Sequence, residues 1–188
     1  MMKKEKKHER ITAWRGTFIK TMIEGHWEFV QRHGLNGIVG IVAITDEPAM
    51  VLVEQYRVPT NSHVIEIPAG ISGDGGHNGE DLVLAAQREL FEETGYQAET
   101  WQALPCVTSS PGLTDEATHL FLATGLKRIE NGGGDVSEHI NVHTVTLNRI
   151  EDWLNEQAAQ GKLIDAKVYS GLFLAMRNLG IINSMTGS

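Results

Sequence analysis

At 188 residues, with 16 Lys and Arg against 24 Asp and Glu and a formal net charge of −8, the chain is sized for one domain and lacks the basic excess of a nucleic-acid polymer binder. A single cysteine, Cys106, excludes an internal disulfide and a cysteine-built zinc site, which fits a reducing cytoplasm. No apolar run approaches the ~20 residues that cross a bilayer, and no apolar stretch follows the charged opening, so neither a membrane partner nor a secretory leader is expected.

Residues 1–10 carry five Lys and Arg against two acids and read as a basic flexible tail. Thr17–Ile23 and Trp27–Gln31 flank Glu24-Gly25-His26, the pattern of a β-hairpin with Gly25 in its turn. Ile38–Ile44 is an apolar, β-branched run suited to a strand buried on both faces. Strands are also expected over Met50–Tyr56 and Val64–Ile67, the second ending at Pro68. Five glycines between Gly70 and Gly79 mark a loop. A helix is expected from Glu80 to Thr94, stopped by Gly95, with Val83, Ala86, Leu90 and Thr94 as its packed stripe. Further strands are expected over Trp101–Thr108, His119–Ala123 and Asn141–Leu147. Two amphipathic helices, Arg149–Gln160 and Ala166–Leu179, follow on either side of Gly161, with Phe173 and Met176 reading as core. Strands and helices alternate without a regular βαβ period, which points to an α/β fold with a mixed sheet between helices.

The chemistry concentrates in Arg88-Glu89-Leu90-Phe91-Glu92-Glu93-Thr94-Gly95-Tyr96. On a helix Glu89, Glu92 and Glu93 share one face at spacings of three and four. Like charges so placed repel, and more strongly where water is excluded. A bound cation relieves that repulsion, and an all-oxygen donor set favours Mg²⁺ or Mn²⁺ over zinc. Arg88, four residues before Glu92, can pair with it and fix its orientation. A solvated acidic face is the alternative, and the three carboxylates alone do not decide between the two.

The surrounding pattern does more. Glu80, seven residues, Arg88-Glu89-Leu90, one residue, Glu92-Glu93, one residue, Gly95-Tyr96 resembles the Nudix box, G-x5-E-x7-R-E-U-x-E-E-x-G-U. Two departures stand out: nine residues separate Gly70 from Glu80 where the box has five, and Tyr96 takes the final aliphatic position. Glu54-Gln55-Tyr56-Arg57, Glu66-Ile67-Pro68-Ala69-Gly70, Ser110-Pro111-Gly112 followed by Glu116, and Asp165-Ala166-Lys167 resemble segments of the ADP-ribose pyrophosphatase branch, which hydrolyses nucleoside diphosphate sugars.

The resemblance implies a Nudix α/β/α sandwich over 35–188, preceded by an N-terminal β-element (11–34) exchanged across a homodimer. It implies hydrolysis of the pyrophosphate bond, most directly of ADP-ribose to AMP and ribose 5-phosphate, with ADP-glucose or GDP-mannose as related substrates. The implied metal ligands are Glu89, Glu93, Glu92 and the Ala69 carbonyl, with Glu80 in support. The implied base is a loop acid: Glu138 first, in a loop whose Gly132-Gly133-Gly134 entry would let it move over the site, and Glu116 second, with a substrate contact as its other role. Arg57 suits a phosphate or terminal ribose. Glu66 suits a ribose or base, or a salt bridge to Arg57. Trp27 reads as core or interface packing, with stacking on a nucleobase as the alternative if the hairpin crosses to a partner. A MutT-type nucleoside triphosphate pyrophosphohydrolase and a non-catalytic ADP-ribose sensor are the rival readings; Ser110-Pro111-Gly112 argues against the first and the intact box acids against the second.

Overall fold

The computed structural model describes residues 8–34, 36–73, 76–77, 79–134 and 139–182. Its first three strands, β1 (Arg10–Arg15), β2 (Ile19–Glu24) and β3 (Trp27–Arg32), form an antiparallel sheet in that order. The β2–β3 hairpin turns at Gly25, whose φ of +64° suits glycine. Strand β1 was not anticipated. All six of its residues are exposed, so it has no buried face to impose an apolar alternation, and its pairing with β2 (Arg10↔Glu24 to Arg15↔Lys20) is what defines it. The small sheet meets the rest of the chain through β3: the Val30 N–H donates to the Leu113 carbonyl at 2.8 Å, and Arg32 pairs with Glu116 at 2.5 Å.

The second sheet contains nine strands among the described residues. Its centre is β4 (Gly37–Ile44), with β5 (Ala49–Arg57), β6 (Ser62–Glu66) and β7 (Ala69–Ser72). Helix α1 (Leu82–Thr94) leads into β8 (Tyr96–Ala103), β9 (Val107–Thr108) and β10 (Ala117–Arg128). The chain continues as β11 (Asn141–Thr146), α2 (Ile150–Ala159), β12 (Leu163–Ile164) and α3 (Ala166–Asn178). β4 runs parallel to β10, whereas its pairings with β5 and β7 are antiparallel, so the sheet is mixed, as the irregular alternation implied. The burial of β4 is close to complete from Val39 onward, in line with its apolar run.

Two clusters of buried side chains make the layers. Ile41, Ala43, Val51, Ala85, Ala86, Leu90 and Phe121 join α1 to one sheet face. Met50, Leu52, Ile65, Ile67, Leu154, Val168 and Ala175 join α2 and α3 to the other. The result is the α/β/α sandwich. Phe173 departs from expectation: it is 52% exposed, because Val168, Gly171 and Ala175 take the inward face of α3, and Met176 is only half-buried. Two strands extend beyond their expected limits, β8 starting at Tyr96 and β10 running to Arg128, because they pair with each other over that stretch (Tyr96↔Arg128 to Ala103↔Phe121).

The sheet also forks. β5 pairs with β4 only at Met50 and Val51, and with β6 from Val53 to Arg57. β11 takes the other edge of β5, so β4 and β6 diverge from one shared edge. The chain leaves β6, passes Ile67-Pro68, and pairs back onto β4 as β7. Pro68 cannot donate to a ladder, but its carbonyl accepts the Ile41 N–H at 2.8 Å. The first three residues of the glycine-rich stretch are therefore strand rather than loop, held by a partner strand some thirty positions earlier, with Ala69↔Gly40 in register.

Candidate active site

Helix α1 is placed by its cap and its inward stripe. Asp81 accepts the Val83 N–H at 2.9 Å, satisfying one of the free donors of the first turn, so the helix begins at Leu82 and Glu80 lies just before it. Ala85, Ala86, Leu90 and Thr94 are buried against the sheet. Val83, expected in this stripe, is partly buried and packs at its margin. Small alanines let the helix axis approach β4 and β7 closely. Glu93 falls on the inner side of the acidic face and is only 4% exposed; its carboxylate accepts the Ala69 N–H at 3.1 Å. Glu89 lies against β7 itself: a Cβ on Gly70 would stand 1.9 Å from the Glu89 carboxyl carbon. Glycine at 70 is thus a condition for Glu89 to sit where it does.

Arg88 gathers the remaining acids. Its Nη1 donates to Glu89 at 2.8 Å and to Glu92 at 3.1 Å. Nε and Nη2 donate to the two oxygens of Glu80, each at 3.2 Å, and Nη2 also reaches the Ile71 carbonyl at 3.2 Å. Burial works against the guanidinium charge, but the bond to Glu80, the charge of Glu89 and the hydrogen bonds to Glu89 and Glu92 outweigh it and hold Arg88 above its ordinary pKa. Reciprocally, the Arg88 hydrogen bond holds Glu80 below the usual carboxylate value despite desolvation. Glu80 is fixed further by the Gly73 N–H on its carboxylate at 3.4 Å and the Ser72 hydroxyl on its carbonyl at 2.8 Å. Its link to Arg88 is therefore made from the β7 side rather than along a continuous helix.

Arg57 and Glu66 lie on the α1-facing side of the β5–β6 arm, since they alternate in phase with Val53. They form a salt bridge at 2.9 Å, the alternative the sequence had left open for Glu66. Burial pushes the Glu66 carboxyl up in spite of Arg57. Glu116 is placed elsewhere, before β10, where Arg32 holds it beside a cleft of about 420 Å³ that Lys20, Gln31 and Asn36 also line. Glu138 lies outside the described residues. The glycines before it are not free to swing: Gly133 and Gly134 donate to the Glu93 and Glu92 carbonyls at 2.9 and 3.1 Å. Nothing in local sequence announced those contacts beyond the run of glycines itself.

Among the described residues, no three His, Cys, Asp or Glu side chains are already gathered at metal-binding reach; Arg88 occupies Glu89 and Glu92 instead. The donor chemistry nevertheless fits a hard divalent cation: three carboxylates on one helix face and the backbone of β7 offer only oxygen. The 52% exposure of the Glu92 side chain leaves it room to turn toward an arriving ion.

The NUDIX domain family matches residues 35–169. A methanol dehydrogenase activator from Bacillus methanolicus is 41% identical over 122 residues, 64% of this chain and 64% of that protein. An ADP-ribose pyrophosphatase from Bacillus subtilis (strain 168) is 39% identical over 112 residues, 59% of this chain and 58% of that one. The alignments thus span less than two thirds of either relative. Among solved structures, one described as an ADP compounds hydrolase superposes with a TM-score of 0.71 at 23% identity, covering 94% of this chain and 96% of that chain, a likeness of fold. No helix among the described residues is long and apolar enough to cross a membrane.

Proposed function

The chain belongs to the NUDIX domain family, and from that premise we propose that it hydrolyses the pyrophosphate bond of nucleoside diphosphate sugars, with ADP-ribose as the leading substrate. The observation that carries this reading is the collection of Glu80, Glu89 and Glu92 on one guanidinium, set against a strand whose Gly70 has no room for a side chain. The similarity to an ADP-ribose pyrophosphatase supports the choice of substrate class. Glu89, Glu92, Glu93 and the Ala69 carbonyl are the proposed ligands of Mg²⁺, with Mn²⁺ able to replace it. When bound, that ion supplies charge neutralisation at the diphosphate oxygens.

The chain's own residues supply the rest. Arg88 holds Glu89 and Glu92 in place and keeps the acidic face folded without the ion. Arg57, its Nε and Nη2 committed to Glu66, presents the remaining edge of its fork to a phosphate. Water attacks one phosphorus, the bridging P–O bond breaks, and AMP and ribose 5-phosphate leave. Glu138 is the proposed acceptor of the water proton; Glu116 is the second candidate, and its cleft with Lys20 and Arg32 equally suits a substrate contact. We further propose a cytoplasmic homodimer built through the N-terminal sheet. Support comes from the exposure of Ile11, Trp14, Phe18 and Trp27 there, which apolar pairing would cover.

The test is a product-resolved assay of the full chain with Mg²⁺ across ADP-ribose, ADP-glucose, GDP-mannose, UDP-glucose and nucleoside triphosphates. AMP released from ADP-ribose supports the proposal. Release of pyrophosphate from triphosphates alone, or turnover of nothing in the panel, overturns it.

A further inference from the structure

Helix α1 ends under an unusual arrangement. The last carbonyls of a helix have no partner within it, and the last turn of α1 contains no basic residue, while Glu92 and Glu93 add negative charge at the negative end of the helix dipole. Three of these carbonyls, those of Phe91, Glu92 and Glu93, are nevertheless met, and the Leu90 carbonyl one position earlier takes a side-chain donor as well. Thr94 Oγ1 donates to the Leu90 carbonyl, the Gly95 N–H to Phe91 at 2.8 Å, the Gly134 N–H to Glu92 at 3.1 Å, and the Gly133 N–H to Glu93 at 2.9 Å. The last two donors lie 42 and 40 residues further along the chain than their acceptors. Gly95 returns the contact, its carbonyl accepting the Ile129 N–H at 2.9 Å.

The contact is backbone on backbone. A Cβ at Gly132 would stand 2.3 Å from the Thr94 carbonyl carbon and 2.6 Å from the Gly95 nitrogen, and one at Gly95 would stand 2.2 Å from the Glu130 carbonyl oxygen. Both glycines have positive φ, +67° and +72°. The segment is fixed on its far side as well, since the Ile140 N–H reaches the Gly133 carbonyl at 3.4 Å and Ile140 is buried.

We infer that Gly132, Gly133 and Gly134 are positioning residues for the carboxylate site: they splint the final turn of α1 and thereby set where Glu92 and Glu93 project. The inference rests on the reading of those acids as cation ligands. Glu93 is then held twice, by its carboxylate on the Ala69 N–H and by its own carbonyl on the Gly133 N–H. Backbone from β7 and from the Gly132–Gly134 segment thus converges on Glu93. A Lys or Arg at the helix end would cap the same carbonyls but would also neutralise the acids; amide donors cap without competing for the carboxylates.

The experiment compares Gly132→Ala with Gly161→Ala in the full chain. Both put alanine at positive φ, +67° and +85°, but nothing lies within 4 Å of the added carbon at Gly161, so only the first separates the two backbones. Mn²⁺ binding is measured by titration of the free-ion electron paramagnetic resonance signal, alongside kcat and KM for ADP-ribose and a circular dichroism melt. The expected result is Mn²⁺ affinity and kcat each lowered about tenfold or more in Gly132→Ala, the size of a small misplacement in a preorganised site, with KM little changed and Gly161→Ala like wild type. Should Gly132→Ala fail to fold, Gly133→Ala replaces it; its nearest neighbour is 4.0 Å away and its φ is +126°, so it disturbs the donor without a clash. Unchanged Mn²⁺ affinity in a folded variant overturns the inference, as does a kcat loss no larger than the unfolded fraction at the assay temperature. A wild type that binds Mn²⁺ but turns over no nucleotide overturns the proposed reaction and leaves the splint standing; normal turnover with an indifferent Gly132→Ala does the reverse.

Discussion

Two carboxylate centres occupy opposite faces of the same sheet, and they are built on opposite stoichiometries. On the α2–α3 face Glu54, 6% exposed, is surrounded by bases: His63 at 3.1 Å, His143 at 3.0 Å and Lys162 at 2.9 Å. Lys162 also donates to Gln157 of α2 at 2.8 Å. On the α1 face three acids, Glu80, Glu89 and Glu92, converge on one guanidinium, that of Arg88, with Glu93 buried beside them. A buried charge demands partners. The first centre supplies them in excess and acts as a rivet between β5, β6, β11 and the α2–β12 turn. The second gathers three acids on one guanidinium, a crowding of like charge that the proposed cation would relieve. Burial of an acid therefore says little about function by itself; what distinguishes the two centres is one acid among several bases against several acids on one guanidinium.

The largest expected effect lies on the α1 side. Glu93→Gln keeps shape and the acceptor for the Ala69 N–H but removes the charge, and turnover of ADP-ribose with Mg²⁺ should fall about 10²- to 10³-fold, the scale of losing one preorganised electrostatic contact. A melt within a few degrees of wild type accompanies it; turnover near the wild-type rate would take Glu93 out of the cation site. Next in size is Arg88→Lys. A single ammonium cannot reproduce a fork that serves Glu80, Glu89, Glu92 and the Ile71 carbonyl together, so Mn²⁺ affinity should weaken about 10- to 100-fold, as for other residues that orient ligands. Affinity equal to wild type would mean that charge alone, and not the fork, organises the acids.

How much of this was open to sequence reading follows the same divide. The α1 site was legible because its acids and Arg88 lie within one helix, where spacing fixes which side chains meet. Even there Glu80 misled slightly: eight positions before Arg88 resembles two helical turns, yet Asp81 caps the helix and Glu80 reaches Arg88 from the β7 loop. β7 was hidden in glycines because its strand character comes from β4. β1 was hidden because it buries nothing. The Glu54 centre was invisible altogether: its partners His143 and Lys162 are 89 and 108 residues away, and only the pairing of β11 with β5 brings the first of them near. The splint on the end of α1 likewise joins distant backbones, and a run of glycines read alone suggests freedom where the fold uses it for close approach.

The smallest expected effect on activity comes from the rivet, and it is the sharpest test of the contrast. Burial raises Glu54, but the hydrogen bonds from Lys162 and His143 outweigh it, and the net effect is a carboxyl below its ordinary value of 4.5. A depressed acid stabilises the fold above its unfolded value, and that contribution is lost as pH falls through the folded one. Wild type should therefore shed stability on acidification below about 4.5, whereas Glu54→Gln, already lacking the charge, should be less stable at neutral pH by about 1.5–3 kcal/mol, the worth of a hydrogen bond to a charged group, and flatter in acid. Urea unfolding at a series of pH values reads both curves. Mn²⁺ affinity of Glu54→Gln at neutral pH should match wild type, because its charge is balanced within its own face. A variant that keeps its stability but loses the ion would invert the assignment, making the base-rich centre the functional one.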